Sequence, residues 1–239
     1  MKHKRVLILL VLGFFALHAP YSVAQKKPCL SCHQKLGAGK VQHPAFLMGC
    51  PACHVSPHKQ KKPVLSLMAD PPALCFNCHD KAKFNKKFRH TAVVAGLCTS
   101  CHNPHSSDND KLLRAQVPQL CYMCHGDAMF TKKVVHGALS MGSCTLCHSP
   151  HSTDNLFNLQ QPIVNLCTMC HSDQAAGVHI VAGAVLGDMH PVQGKPDPAR
   201  KGRDLSCTSC HSPHSSSMNF LFRNETLSPS NLCLMCHEK

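Results

Sequence analysis

The chain has 239 residues, with 18 Cys and 20 His, and 25 Lys plus Arg against 12 Asp plus Glu for a formal net charge of +13. No Trp, 10 Phe and 2 Tyr against 17 Pro argue against a core built from the chain's own side chains alone. After the N-terminal segment no apolar run approaches the ~20 residues of a membrane-spanning helix, and the best, from Ile180 to Leu186, is far too short.

Residues 1–24 read as a secretory signal peptide. Lys2, Lys4 and Arg5 make the basic start, Val6 to Leu17 is unbroken apolar sequence, and Ser22-Val23-Ala24 presents small residues to the protease, so cleavage is expected before Gln25. No cysteine follows that site and no twin arginine precedes it, which predicts export of an unfolded, non-lipidated chain beyond the inner membrane of a bacterium, to the periplasm.

From Cys29 onward the pattern C-x-x-C-H occurs nine times and uses every cysteine. The pairs are Cys29 and Cys32, Cys50 and Cys53, Cys75 and Cys78, Cys98 and Cys101, Cys121 and Cys124, Cys144 and Cys147, Cys167 and Cys170, Cys207 and Cys210, and Cys233 and Cys236. Each is followed by a histidine: His33, His54, His79, His102, His125, His148, His171, His211 or His237. Two thiols three residues apart fit one helical turn and can add to the two vinyl groups of one porphyrin, with the next residue under the iron; the pattern reads as c-type haem attachment. Zinc sites and disulfide scaffolds also use C-x-x-C pairs, but neither requires a histidine after every second cysteine.

The middle motifs recur every 23 residues, giving a repeat of 46 with two motifs per unit. The units span about 29–58, 75–105, 121–151 and 167–214, with a half unit at 233–239. Unit two shows the form: Leu74 before the first motif, a spaced His90, then a second motif running into Pro104-His105-Ser106. Short helices of one to three turns are predicted at the motifs, stopped by Pro57, Pro104, Pro150 and Pro213, and no strand pattern is visible. The fourth unit carries an insertion around 183–203, which Gly183, Gly187, Gly194, Pro196 and Pro198 mark as loop. At about 24 residues per motif, separate cores are out of reach. The expected fold is mostly irregular with short α-helices and little or no β: an elongated multihaem array in a single domain, residues 25–239, with nine haems as its core.

Beyond the nine motif histidines, nine more follow the signal: His43, His58, His90, His105, His136, His151, His179, His190 and His214. One spare imidazole per haem predicts bis-histidine ligation throughout. In unit four, His190-Pro191 with Gly194 echoes His43-Pro44 with Gly49, so His190 takes the repeat role and His179 is a candidate to complete the half unit's haem. Six-coordinate irons have no place for substrate and exchange only electrons, at low potential because both axial ligands are imidazole. Two propionates per haem bring the chain to roughly +1 when oxidised, so its basic balance does not imply nucleic-acid binding. A multihaem reductase with one open haem is the alternative; some of these carry Lys in place of a motif histidine, and no motif here ends in Lys.

The alternating L-C-x-x-C-H and C-x-x-C-H-x-P-H-S units resemble the doubled-CXXCH multihaem cytochromes, over residues 28–237. The resemblance implies a wire of bis-histidine haems exchanging electrons with other redox proteins. In relatives of metal-reducing bacteria it sits inside an outer-membrane porin and delivers electrons to an extracellular multihaem cytochrome. Nine motifs rather than ten, and the unit-four insertion, depart from the porin-inserted members. A soluble periplasmic shuttle is the other form of the same reading.

Overall fold

The computed structural model describes residues 28–55, 66–175, 179, 190–223 and 230–237. Residues 1–24, expected as a signal peptide, lie outside the described residues, as do Pro57, His58, Gly183 and Gly187. Secondary structure is short and sparse, with little β, as composition and repeat length imply. Single helical turns sit at the motifs, among them Pro28–Cys32, Cys98–Cys101, Cys144–Cys147, Cys207–Cys210 and Ser230–Cys233. They stay short because the residue after each second motif turn, such as His102, leaves the helical region at φ −111, ψ 140.

Strands are present although no alternation announced them. β1 (Val41–Gln42), β2 (Phe88–Arg89), β3 (Ser106–Ser107), β4 (Val134–Val135), β5 (Ser152–Thr153) and β6 (Ser215–Ser216) are each two residues long, too short to show a period in sequence. They form three antiparallel ladders, β1 with β3, β2 with β5 and β4 with β6. Each ladder joins the stretch before a spaced histidine to the stretch after the P-H-S histidine of the next unit. Units therefore contact their sequence neighbours in series, as in other repeat arrays.

The insertion of unit four docks on the eighth motif. Asp197, 4% exposed, accepts from Ser209 Oγ (2.7 Å), Arg200 Nε (2.6 Å) and Ala199 N (3.0 Å), while Arg200 also reaches the Thr208 carbonyl (3.1 Å). Burial by itself pushes the Asp197 carboxyl up, but the Ser209 and Arg200 hydrogen bonds and the Arg200 charge outweigh it and hold it below the ordinary carboxylate value.

What is missing is an apolar core. Among the described residues Leu112 is the single buried hydrophobic, while Leu47, Met48, Met141 and Phe220 are each more than 70% exposed. A chain with 44% hydrophobic residues whose described residues bury one of them has the core of that part made by something other than side chains.

Candidate haem-binding sites

All nine motifs close the same turn. The histidine N–H donates to the carbonyl of the first cysteine at 2.9–3.0 Å, from His33 on Cys29 to His237 on Cys233. This 13-atom ring sets two thiols and an imidazole on one turn. All eighteen cysteines are free of disulfides, and among the described residues no three metal-ligating side chains gather as a zinc site requires. Within units two, three and four the first cysteines of the two motifs, Cys75 with Cys98, Cys121 with Cys144 and Cys167 with Cys207, lie close enough for each pair of thiols to interact. Burial, then neighbouring thiols, pushes Cys121 up to about 11.

Eight motif histidines face eight spare ones. The ring centres are 6.0 Å apart for His43 and His79, 5.9 Å for His54 and His105, and 5.9 Å for His90 and His125. They are 6.0 Å apart for His102 and His151, 6.2 Å for His136 and His171, and 5.9 Å for His148 and His214. His179 with His211 (6.3 Å) and His190 with His237 (6.1 Å) complete the set. Two imidazoles bonded on opposite sides of one metal ion at ~2.0–2.1 Å place their centres about 6 Å apart, so the residues fit the group.

The pairings obey a rule that the chain order hides. The spaced histidine of one unit (His43, His90, His136, His190) faces the first motif of the next, and the P-H-S histidine (His105, His151, His214) faces the second motif of the unit before. His179 was the candidate for the half unit's haem; the structure places it at His211 instead, and His190 at His237. His179 thus fills at His211 the place that a P-H-S histidine fills at His54, His102 and His148.

The ladders enforce the exchange. His43 N donates to His105 O (2.9 Å), His90 N to His151 O (2.8 Å) and His136 N to His214 O (2.9 Å), so two rings that face different motif histidines leave adjacent backbone positions. The P-H-S serine locks each ladder. Ser106 donates to Leu36 O (2.8 Å) and accepts from Gly39 N (3.1 Å), and Ser215 donates to Met129 O (2.8 Å) and accepts from Lys132 N (3.2 Å). Phe84 and Phe130 pack edge-on against His151 (4.9 Å) and His214 (5.1 Å). Sequence reasoning missed both; the Ser after Pro-His in units two to four was the available signal.

Burial, and behind it the charge of the facing ring, lowers the pKa of His43, His90, His105, His136, His151, His179 and His214. They stand at neutral pH as neutral imidazole, the form that coordinates metal. On the other side, the Nδ1 of His102, His148 and His211 donates to the carbonyls of Lys111 (2.8 Å), Phe157 (3.0 Å) and Phe220 (2.7 Å), leaving Nε2 for the iron. Those carbonyls are presented by consecutive left-handed residues: Lys111 and Leu112, Phe157 and Asn158, Phe220 and Leu221, all with φ of 54–62°. Such backbone costs about 1–2 kcal/mol per non-glycine residue, and no glycine marks it in the sequence.

Turns that present two thiols and an imidazole, each facing a second imidazole, define a multihaem c-type cytochrome, an electron-transfer protein with covalently bound haem c. Residues 43–84, 90–130, 136–176 and 197–239 match the doubled CXXCH motif, and the chain belongs to that family. The first three segments start on a spaced histidine or reach it, so each contains both rings of one facing pair: His43 and His79, His90 and His125, His136 and His171. The chain is also 36% identical over 92 residues to the multiheme cytochrome MtrA of Shewanella baltica (strain OS185). That stretch covers 36% of this chain and 27% of MtrA, so the match spans little more than a quarter of the relative's length.

Proposed function

We propose that the chain carries nine bis-histidine haems and conducts electrons along them, from periplasmic donors toward acceptors at or beyond the outer membrane. The observation that carries this reading is the set of eight facing histidine pairs, each one motif ring and one spare ring at 5.9–6.3 Å. The ninth motif histidine, His33, and the ninth spare, His58, are what remains, and we assign them to each other. Haem supplies a one-electron iron couple when bound. The facing histidines would hold the iron between them and leave it no place for substrate, which argues for transfer rather than reduction of a small molecule. Its ladders hold neighbouring sites in fixed succession, and neighbouring units share ligands, so no site can drift from the next.

Residues 1–24 are the export signal on this reading, and the likeness to MtrA supports a periplasmic place with redox proteins as partners. No helix among the described residues is long and apolar enough to cross a membrane, so a passage through the outer membrane requires a barrel partner such as a porin. An intact-mass measurement on the exported protein tests the count: nine porphyrins are expected, and substantially fewer would end the proposal. Carbon monoxide tests the ligation. Binding to the reduced wild-type protein would reveal an open iron and favour the reductase. Co-purification with an outer-membrane barrel separates a conduit from a soluble shuttle.

A further inference from the structure

The nine sites are not equivalent in what lies behind their motif histidines. In units two, three and four the second-motif rings donate Nδ1–H to a carbonyl nine residues on, at 2.7–3.0 Å. Among the described residues no carbonyl accepts from the Nδ1 of the first-motif rings His79, His125 or His171. On their facing partners, His43 Nδ1 meets a donor, the Ala45 N–H (3.1 Å), rather than a carbonyl. His237 stands apart from this contrast because its partner His190 has Nδ1 3.0 Å from Pro191 O. The difference is built in: three separate loops hold two non-glycine residues each in the left-handed region, the first turning its carbonyl to the ring and the second accepting from the backbone N–H of Asn103, Ser149 or Ser212 at 2.6–2.7 Å.

Donation from Nδ1 makes an imidazole more basic at Nε2 and favours the more positively charged state of the metal it binds. We propose that the carbonyls of Lys111, Phe157 and Phe220 are positioning groups that hold the second-motif haems of units two to four at lower potential than the first-motif haems of His79, His125 and His171. Potential then alternates along the array instead of falling steadily. The proposal rests on the bis-histidine reading above.

The test uses the haem-loaded protein. Proline cannot adopt the φ of 55° at Lys111, whereas glycine can. Both Lys111→Pro and Lys111→Gly lose the Lys111 charge that reaches His151, so the two variants are compared with each other. Relative to Lys111→Gly, Lys111→Pro should raise the reduced-to-oxidised ratio of one haem about tenfold at fixed potential, equivalent to about 59 mV for one electron. A Lys111→Pro protein with its full haem complement, all low-spin, and the titration curve of Lys111→Gly overturns the proposal while leaving bis-histidine ligation standing. Should that variant fail to assemble, the wild type decides. Haems whose histidine Nδ1 protons exchange slowly with deuterated water should be the last reduced in a stepwise titration, and their reduction first or in no order refutes the assignment. High-spin iron in the wild-type protein at these positions would remove the bis-histidine reading and this proposal with it.

Discussion

His136 is the sharpest place to test ligand exchange between units. Its ring faces His171 at 6.2 Å, in the next unit, while its own unit contributes the motif histidines His125 and His148, which face His90 and His214. His136→Ala keeps the backbone bond from residue 136 to His214 O and hence the ladder of β4 with β6. The loss should be confined to one axial ligand, so about one-ninth of the haem turns high-spin and reduced protein binds one CO. Location is read in a second background. Cys167→Ala with Cys170→Ala removes the attachment thiols of the seventh motif, and there His136→Ala should open no further site. A CO-binding haem in the triple variant would put His136 on a haem of its own unit, and the exchange rule would fail.

Further expectations follow from the packing. Ser215→Ala leaves the Lys132 N–H and Met129 carbonyl without their partner in a site that is 2% exposed, and should cost about 1–3 kcal/mol, read as a lower Tm of the loaded protein. Gly142→Ala should destabilise by roughly 1–2 kcal/mol or more, because φ is +69° and a Cβ would meet Pro118 Cδ at 2.8 Å; unchanged melting would contradict the local geometry. Asp197→Ala strands Arg200 in a half-buried position and should cost about 3–5 kcal/mol, with proteolysis appearing first in the unit-four insertion. With its folded pKa depressed, Asp197 contributes fully above the ordinary carboxylate range, and that contribution disappears as pH falls through the lowered value. An acid melting series on wild type and Asp197→Asn should therefore converge at low pH. Removing the haems should unfold the chain, since Leu112 is the one hydrophobic buried among the described residues without them; retained native circular dichroism after their removal would refute a haem core.

The division of labour between sequence and structure runs along separation in the chain. Chemistry confined to five residues was legible by eye: nine C-x-x-C-H turns, each closed by one local hydrogen bond, and the helices at them. Counting also showed that the imidazoles suffice for the irons, because a count does not depend on which ring meets which. Partner choice does depend on it, and no periodicity could supply it, since His148 and His214 would look equally available to several sites in a regular repeat. Tertiary contacts made that choice: two-residue ladders too brief to leave a pattern, and serine bonds spanning 66, 67 and 83 residues. His179 shows the same limit. With His190 in the repeat role, elimination pointed it to the half unit's motif, whereas the folded chain sets it against His211. The carbonyls behind His102, His148 and His211 were invisible for a related reason: left-handed backbone without glycine has no sequence mark and exists only because the folded loop around it holds it there.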